Sequence, residues 1–438
     1  MKREPTSWGR HPRVTERAVH PVSWTHEPLP EPGPGATLLP HGQGRSYGDA
    51  CRNAGGVLLT TERLDHFLGF DPATGVLRCE SGVTLDAILR LVVPQGWFLP
   101  VTPGTKFVTV GGAIANDVHG KNHVREGTFG RHLLRLELLR SDGSRRECSP
   151  EQNADWFGAT VGGLGLTGLI TWAELRLRRV NNPYILQETH AFGDLAGFLT
   201  LLAASEHDFE FNVAWVDSLA RGRHLGRGLF YRGQYAPPQF GPVPRARPAT
   251  PTLAVPFDLP GFALNRVSVA AFNALQYRLR PQGLVHYEPF FYPLDAVHGW
   301  NRIYGRQGFL QFQCVVPRSD AGVDALREIL DRSAHSGLPS FLTVLKVYGD
   351  LPSPGWMSFP RRGFSLALDF AHRGERTYRL VDTLDALTRA AGGRVYPAKD
   401  ARMSPESFRA YYPEQTRFGG YVDPAFSSSF WRRVNGAD

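Results

Sequence analysis

What this 438-residue chain lacks narrows it first. No run of eighteen or more apolar residues occurs, so no segment reads as a membrane-spanning helix. The opening Met1-Lys2-Arg3-Glu4-Pro5 leads into polar, proline-rich sequence without an apolar h-region, so no secretory signal is expected. Four cysteines, Cys51, Cys79, Cys148 and Cys314, stand singly, without the paired spacings of a metal site, and no metal is expected. They read as reduced thiols of a cytoplasmic protein, with membrane association left open and at most peripheral. Lysine is scarce: Lys2, Lys106, Lys121, Lys346 and Lys399 stand against 44 arginines among 49 basic residues. The arginines are scattered, and no basic stripe with interleaved aromatics marks a nucleic-acid surface. The net charge of +8 suits instead a phosphorylated substrate or an anionic membrane surface. Because arginine already fills the surface role, the few lysines inside motifs are candidates for chemistry.

What is present is a chain of mixed strands and helices, long enough for two or three domains. Pro28 to Gly35 is a loop too broken for regular structure. From there to about Val180 short strands alternate with helices. Val76 to Cys79 predicts a strand, and Thr84 caps a helix whose Leu85, Ile88, Leu89 and Val92 share one face until Pro94 and Gly96 end it. Leu133 to Arg140, Leu169 to Leu177, Phe309 to Val316 and Phe364 to Phe370 predict further strands, and Ala321 to Leu330 a helix. Pro237 to Pro256 is a proline-dense insert of the kind that forms lids or disordered segments. Ser404-Pro405 predicts an N-cap with proline at the first helical position.

Three glycine clusters fall in the first part of the chain: Gly42-Gln43-Gly44, Thr109-Val110-Gly111-Gly112 and Gly162-Gly163-Leu164-Gly165. Gly163-x-Gly165-x-x-Gly168 matches the dinucleotide fingerprint in letters, but Leu169 to Leu175 continues as a strand where the fingerprint needs a helix. The glycines retain a physical use, because a backbone without side chains approaches a diphosphate closely and can present N–H groups to it. Thr109 to Gly112 predicts a helix N-terminus pressed against phosphate or a flavin ring. Tight turns in a sheet-rich region are the plain alternative.

The runs Gly44-Arg45-Ser46-Tyr47-Gly48-Asp49, Pro103-Gly104-Thr105 and Gly111-Gly112-Ala113-Ile114-Ala115-Asn116-Asp117-Val118-His119-Gly120-Lys121-Asn122-His123 resemble those of the vanillyl-alcohol-oxidase-type (PCMH-type) FAD oxidoreductases. The resemblance extends through Phe309 to Gln313 and Tyr396-Pro397-Ala398-Lys399-Asp400, nearly the whole chain. It implies an α+β fold: a two-lobed FAD-binding domain capped by a substrate domain built on an antiparallel sheet. The boundaries it implies are 1–182 for the FAD-binding part, 183–393 for the substrate part, and 394–438 for a C-terminal return to the first. It implies FAD contacts from His41, Gly42, Gln43, Gly44, Arg45, Ser46, Tyr47, Gly48 and Asp49, then Gly104, Thr109, Val110, Gly111, Gly112, Asn116, Asp117, Val118 and His119, then Gly165, Ile170 and Tyr396. Several members of the family attach flavin through a histidine where this chain has Arg45, so non-covalent FAD is expected.

On the substrate side the resemblance implies Lys399, Tyr47, His119, Lys121 and Gln313. The reaction implied is oxidation of a CH–OH group of a sugar, a lipid-phosphate-linked pentose or a related sugar, by hydride transfer to flavin N5. A lysine with its pKa lowered by burial can take the hydroxyl proton. The alternatives are a salt bridge from Lys399 to Asp400, and for His119 a hydrogen bond to a backbone carbonyl. Oxidation of a free polyol or aldose, or a non-enzymatic role in binding polyanions, are the competing functions; oxygen, a quinone or another acceptor takes the electrons, and a reductase is a candidate partner. Ala367 and Ser365 replace a cysteine and an asparagine of the family's site, while Phe291 and Tyr292 replace a tyrosine and a histidine.

Overall fold

The computed structural model describes residues 5–240 and 253–436. Residues 241–252 of the proline-dense insert lie outside the described residues. The N-terminal part holds two larger sheets and a two-stranded pairing of Trp97–Phe98 with Arg178–Arg179. One is parallel and three-stranded, in the order Ala18–Pro21, Val57–Thr60, Leu38–His41. Its edge strand Ala18–Pro21 is mostly exposed and carries little hydrophobic pattern, and the sequence reading did not anticipate it. The other sheet is antiparallel and five-stranded, in the order Phe67–Asp71, Val76–Glu80, Leu169–Arg176, Leu133–Leu139, Arg145–Cys148. The helix Leu85–Val92 packs Leu85, Ile88, Leu89 and Val92 into the core beneath it, with Thr84 Oγ1 accepting from Ala87 N. The dinucleotide-like glycines do lead into a strand, Leu169–Arg176.

Residues 184–395 build an antiparallel eight-stranded sheet. Its order is Gly283–His286, Tyr184–Phe192, Gly228–Tyr235, Phe211–Val216, Thr343–Tyr348, Gly363–Ala371, Phe309–Val316, Arg394–Val395. Alternation assigns its two faces. Leu310, Phe312, Cys314, Leu366, Leu368 and Phe370 enter the core under the helices Asp320–His335 and Glu375–Ala390. The opposite face carries the residues between them, and that face meets the cleft described below.

The C-terminus closes back on the start of the chain. Leu38 N donates to Ala425 O at 2.7 Å and Ser427 N to Leu38 O at 3.0 Å. In the last helix, Ser429–Asn435, Arg433 forms a forked pair with Asp49 at 2.7 and 2.8 Å and also bonds Asp400 at 2.8 Å. That triad ties the first glycine loop to the turn carrying Lys399. The fold is thus an α+β mixture with antiparallel sheets, as the sequence suggested.

Candidate active site

A cleft with a cavity volume of about 280 Å³, partly open to solvent, gathers residues from both halves of the chain. One wall comes from the glycine loops. Gly42, Gln43, Gly44, Arg45, Ser46 and Tyr47 line it, followed by Gly104, Thr109, Gly111, Gly112, Asn116, Val118, His119, Gly165 and Ile170. Thr109 caps the short helix Val110–Ala115 by accepting from Gly112 N at 3.1 Å. The N–H groups of Val110 and Gly111 are bonded to Val83 O and Ser81 O. This corrects the expectation of a helix N-terminus offering donors: here those glycines permit close approach instead. Donors come from the first loop, where, among the described residues, the N–H groups of Gln43, Gly44 and Ser46 have no partner. Ser81 Oγ and His119 Nδ1, both on the cleft, are also buried without partners.

The other wall is a patch of the eight-stranded sheet set by register. Gln311 pairs with Asp369, Gln313 with Ala367, Ala367 in turn with Val344, and Ser365 with Lys346. Gln311, Gln313, Val344, Lys346, Ser365 and Ala367 all line the cleft, joined from the turn Pro397–Lys399 by Ala398 and Lys399. The Lys399 ammonium lies 3.4 Å from the centroid of the Tyr47 ring, a cation–π contact. Tyr47 in turn packs edge-on against Phe309 at 5.3 Å. Gln313 Nε2 donates to His119 Nε2 at 3.1 Å and to Tyr348 Oη at 3.3 Å. A histidine that accepts at Nε2 carries its proton on Nδ1, so the unpartnered Nδ1–H of His119 is a donor left for a ligand.

Charge in this wall is unbalanced. Burial lowers the pKa of Lys346 to about 8. Burial lowers that of Lys399 as well, opposed by the Asp369 carboxylate and reinforced by Lys346. Asp369 is fully buried and its pKa is raised, chiefly by burial, although Gln311 and Tyr304 donate to it. His119 is held neutral by burial and by the like charges of Lys346, His123 and Lys399.

Residues 34–149 match a family described as FAD binding domain. Over 422 residues the chain is 35% identical to decaprenylphosphoryl-β-D-ribose oxidase of Mycolicibacterium smegmatis, covering 91% of this chain and 89% of that protein. The chain belongs to the PCMH-type, vanillyl-alcohol-oxidase-type FAD oxidoreductases. It is 37% identical over 376 residues to an uncharacterized protein of Streptomyces coelicolor, covering 80% of this chain and all of that one. A partial match, 27% over 168 residues, links it to the mitochondrial D-2-hydroxyglutarate dehydrogenase of Bos taurus, across 36% of this chain and 30% of that enzyme. As a member of this family the protein is an FAD-dependent oxidoreductase.

The cleft fits that cofactor. Unpartnered loop N–H groups suit a diphosphate, and a Cβ at Gly104 would meet nothing within 4 Å. Tyr396, stacked on Phe359 with ring centroids 4.6 Å apart and donating to Asn116 O at 2.8 Å, gives the cleft a flat aromatic flank. Cys51, also on the cleft, has its thiol pushed up to about 12 by burial, so it lacks the thiolate that bond formation to a flavin needs. Arg45 lies with its guanidinium 4.1 Å over the Trp8 ring.

Five expected residues do not line the cleft. Lys121 donates to the Phe290 carbonyl and sits 4.4 Å over that ring, which turns it away from the site. Asp49 is taken up by Arg433. Gly48 is pressed against the Asp400 backbone, where a Cβ would come within 1.6 Å of Asp400 O. Val110 is wholly in the core. Asp117 is buried behind the wall, accepting from Gly130 N at 2.9 Å and from Ser353 Oγ and Ser358 Oγ, so it ties its own loop to two others without facing the cleft. The alternative partner for Lys399 is also excluded, because Asp400 is engaged by Arg433. Phe291 and Tyr292 pack in an aromatic cluster with Phe98, and Tyr292 Oη shares a 2.5 Å hydrogen bond with Thr102.

Lys346 and Asp369 escaped the sequence reading. The signal for Lys346 was the scarcity of lysine, which singles out five residues but cannot say which of them turns inward. Asp369 sits in the alternation Ser365, Ala367, Asp369 on one strand face, a pattern that becomes visible only when register is known.

Proposed function

We propose that the protein oxidises a secondary or primary alcohol of a sugar, a lipid-phosphate-linked pentose or a related sugar, with FAD held non-covalently. Bound FAD supplies the hydride acceptor. Lys399 Nζ in its neutral form takes the hydroxyl proton of the alcohol. The lowering of its pKa by burial is the observation that carries this role, because an ordinary lysine is almost wholly protonated near neutral pH. Tyr47 holds the ammonium end in place through its ring face. His119 offers Nδ1–H, and Gln313 fixes the tautomer that leaves this donor free.

The phosphate of the substrate is assigned to the cationic side of the cleft. Lys346 and Arg45 line it against Asp295, the one carboxylate among its described lining residues. A free polyol would leave that excess of positive charge unused. The relative from M. smegmatis bears a name that specifies decaprenylphosphoryl-β-D-ribose, which agrees in chemical class. Ser365 and Ala367 leave more room than asparagine and cysteine would, which favours an alcohol of different shape on the same reaction. In this reading residues 1–182 and 394–438 form the FAD-binding lobe and 183–393 the substrate lobe: the glycine-loop wall comes from the first of these segments and most of the sheet wall from 183–393, with Lys399 reaching it from the C-terminal return.

The test is anaerobic mixing of the holoenzyme with a short-chain prenyl-phosphoryl pentose, a prenyl-phosphoryl hexose, and free polyols. Bleaching of the flavin absorbance by a phosphoryl sugar, with free polyols inert, is expected. Equal bleaching by a free polyol overturns the lipid-phosphate assignment, and no bleaching by any alcohol overturns the reaction.

A further inference from the structure

The helix Arg266–Gln276 turns Val269, Asn273 and in part Phe272 inward but leaves Val267, Ala271 and Leu275 in solvent. Val267 is 79% exposed and Leu275 61%, four-residue steps from Val267 through Ala271 to Leu275 form one outer stripe, and Leu279 just past the helix is exposed as well. Phe262, 78% exposed, and Phe257, 64% exposed, add two aromatic rings just before the helix. Large side chains exposed together in this way are uncommon on a soluble surface and mark an interaction face. Its charge is one-sided as well. From 259 to 287 there is no aspartate or glutamate, while Arg266, Arg278 and Arg280 are all exposed.

This face adjoins the substrate end of the cleft. Phe272, on the inner side of the helix, meets Phe341 with ring centroids 4.5 Å apart, and the next residue, Leu342, lines the cleft. Leu264 packs on the cluster containing Trp300, which lines the cleft too.

We infer that residues 257–280 form a peripheral docking surface for an anionic lipid bilayer, placed so that a lipid-linked alcohol enters the cleft from the membrane. The apolar stripe and the two phenylalanines enter the headgroup–acyl boundary, and the three arginines sit at the level of the anionic headgroups. A protein partner or a second copy would also cover an apolar face, but neither accounts for a rim of three exposed arginines whose one carboxylate, Asp258, is already paired with Arg10. The surface rests on the lipid-linked substrate proposed above for its purpose, though not for its measurement.

The test is co-sedimentation of the holoenzyme with sucrose-loaded vesicles of phosphatidylcholine plus phosphatidylglycerol, and with phosphatidylcholine alone. Sedimentation with the anionic vesicles, weakened by salt, is expected. Each arginine near such a surface contributes roughly a fivefold gain in binding, so a triple change of Arg266, Arg278 and Arg280 to Glu should weaken it on the order of a hundredfold or more. Val267→Glu with Leu275→Glu should abolish binding while leaving flavin bleaching by a soluble short-chain substrate unchanged, because both side chains point to solvent. Wild-type protein that sediments with neither vesicle, or a Val267→Glu/Leu275→Glu variant that binds as well as wild type, overturns the inference. So does a concentration-dependent dimer that the same pair of changes breaks. Failure of the short-chain substrate to bleach the flavin, with vesicle binding intact, would count against the proposed reaction and not against this surface.

Discussion

The wall built by residues 41–51, 103–119 and 164–170 meets the cleft mainly with backbone and small side chains, whereas the sheet wall meets it with Gln311, Gln313, Lys346 and Lys399. The first comes from three continuous runs of sequence and works by close approach and donated N–H groups. The second draws one or two residues from each of several strands and works through buried charge. A cofactor shared across a family can be gripped by backbone, which tolerates little change. A substrate is selected by side chains, which can be exchanged one at a time without disturbing the fold. Ser365 and Ala367 fall on the second wall.

The largest expected effect separates the walls most sharply. Lys399→Ala should slow single-turnover flavin bleaching by about a hundred- to ten-thousandfold, the range of a lost general base, while the flavin stays bound. Comparison of bleaching rate with flavin content checks both at once. Next comes the seam between the walls. Gly48→Ala would drive a methyl into Asp400 O, and overpacking of that kind costs about 1–3 kcal/mol, read as a lower thermal midpoint. Gly42→Ala acts on the cofactor wall alone. Its Cβ would come within 2.4 Å of Thr109 Oγ1, the helix cap, and losing a cap costs about 1 kcal/mol. FAD affinity measured by fluorescence titration should fall roughly tenfold, with bleaching of the loaded enzyme little changed.

The smallest effects are the most diagnostic of the substrate wall. Lys346 lowers the pKa of Lys399 by like charge and Asp369 raises it by opposite charge. Lys346→Gln should therefore move the pH profile of bleaching upward and Asp369→Asn move it downward, each by roughly one unit. Shifts in the same direction in both variants would show that Lys399 is not the titrating group.

Much of the first wall was legible in the sequence because its information is local. Capping by Thr84, Thr109 and Ser404 and the strands on either side of the glycine loops follow from residue types a few positions apart. The second wall was legible only in part. Gln313 and Lys399 entered through family resemblance, while Lys346 and Asp369 come together only through the pairing of Thr343–Tyr348, Gly363–Ala371 and Phe309–Val316. Lys121, Asp49 and Asp117 sit inside the motifs that point to the site, yet their side chains are spent on loops and on the C-terminal helix. Motif membership tells which segments meet, not which side chain faces inward.

The pH dependence of anaerobic single-turnover flavin bleaching tests Lys399 most directly. A lysine base must be neutral, so its contribution is lost as pH falls through its pKa in the folded protein. With that pKa lowered by burial, the rate should rise with pH and level off well below the ordinary lysine value of 10.5. A rate independent of pH in wild type, or the same rising profile in Lys399→Ala, would contradict Lys399 as the proton acceptor.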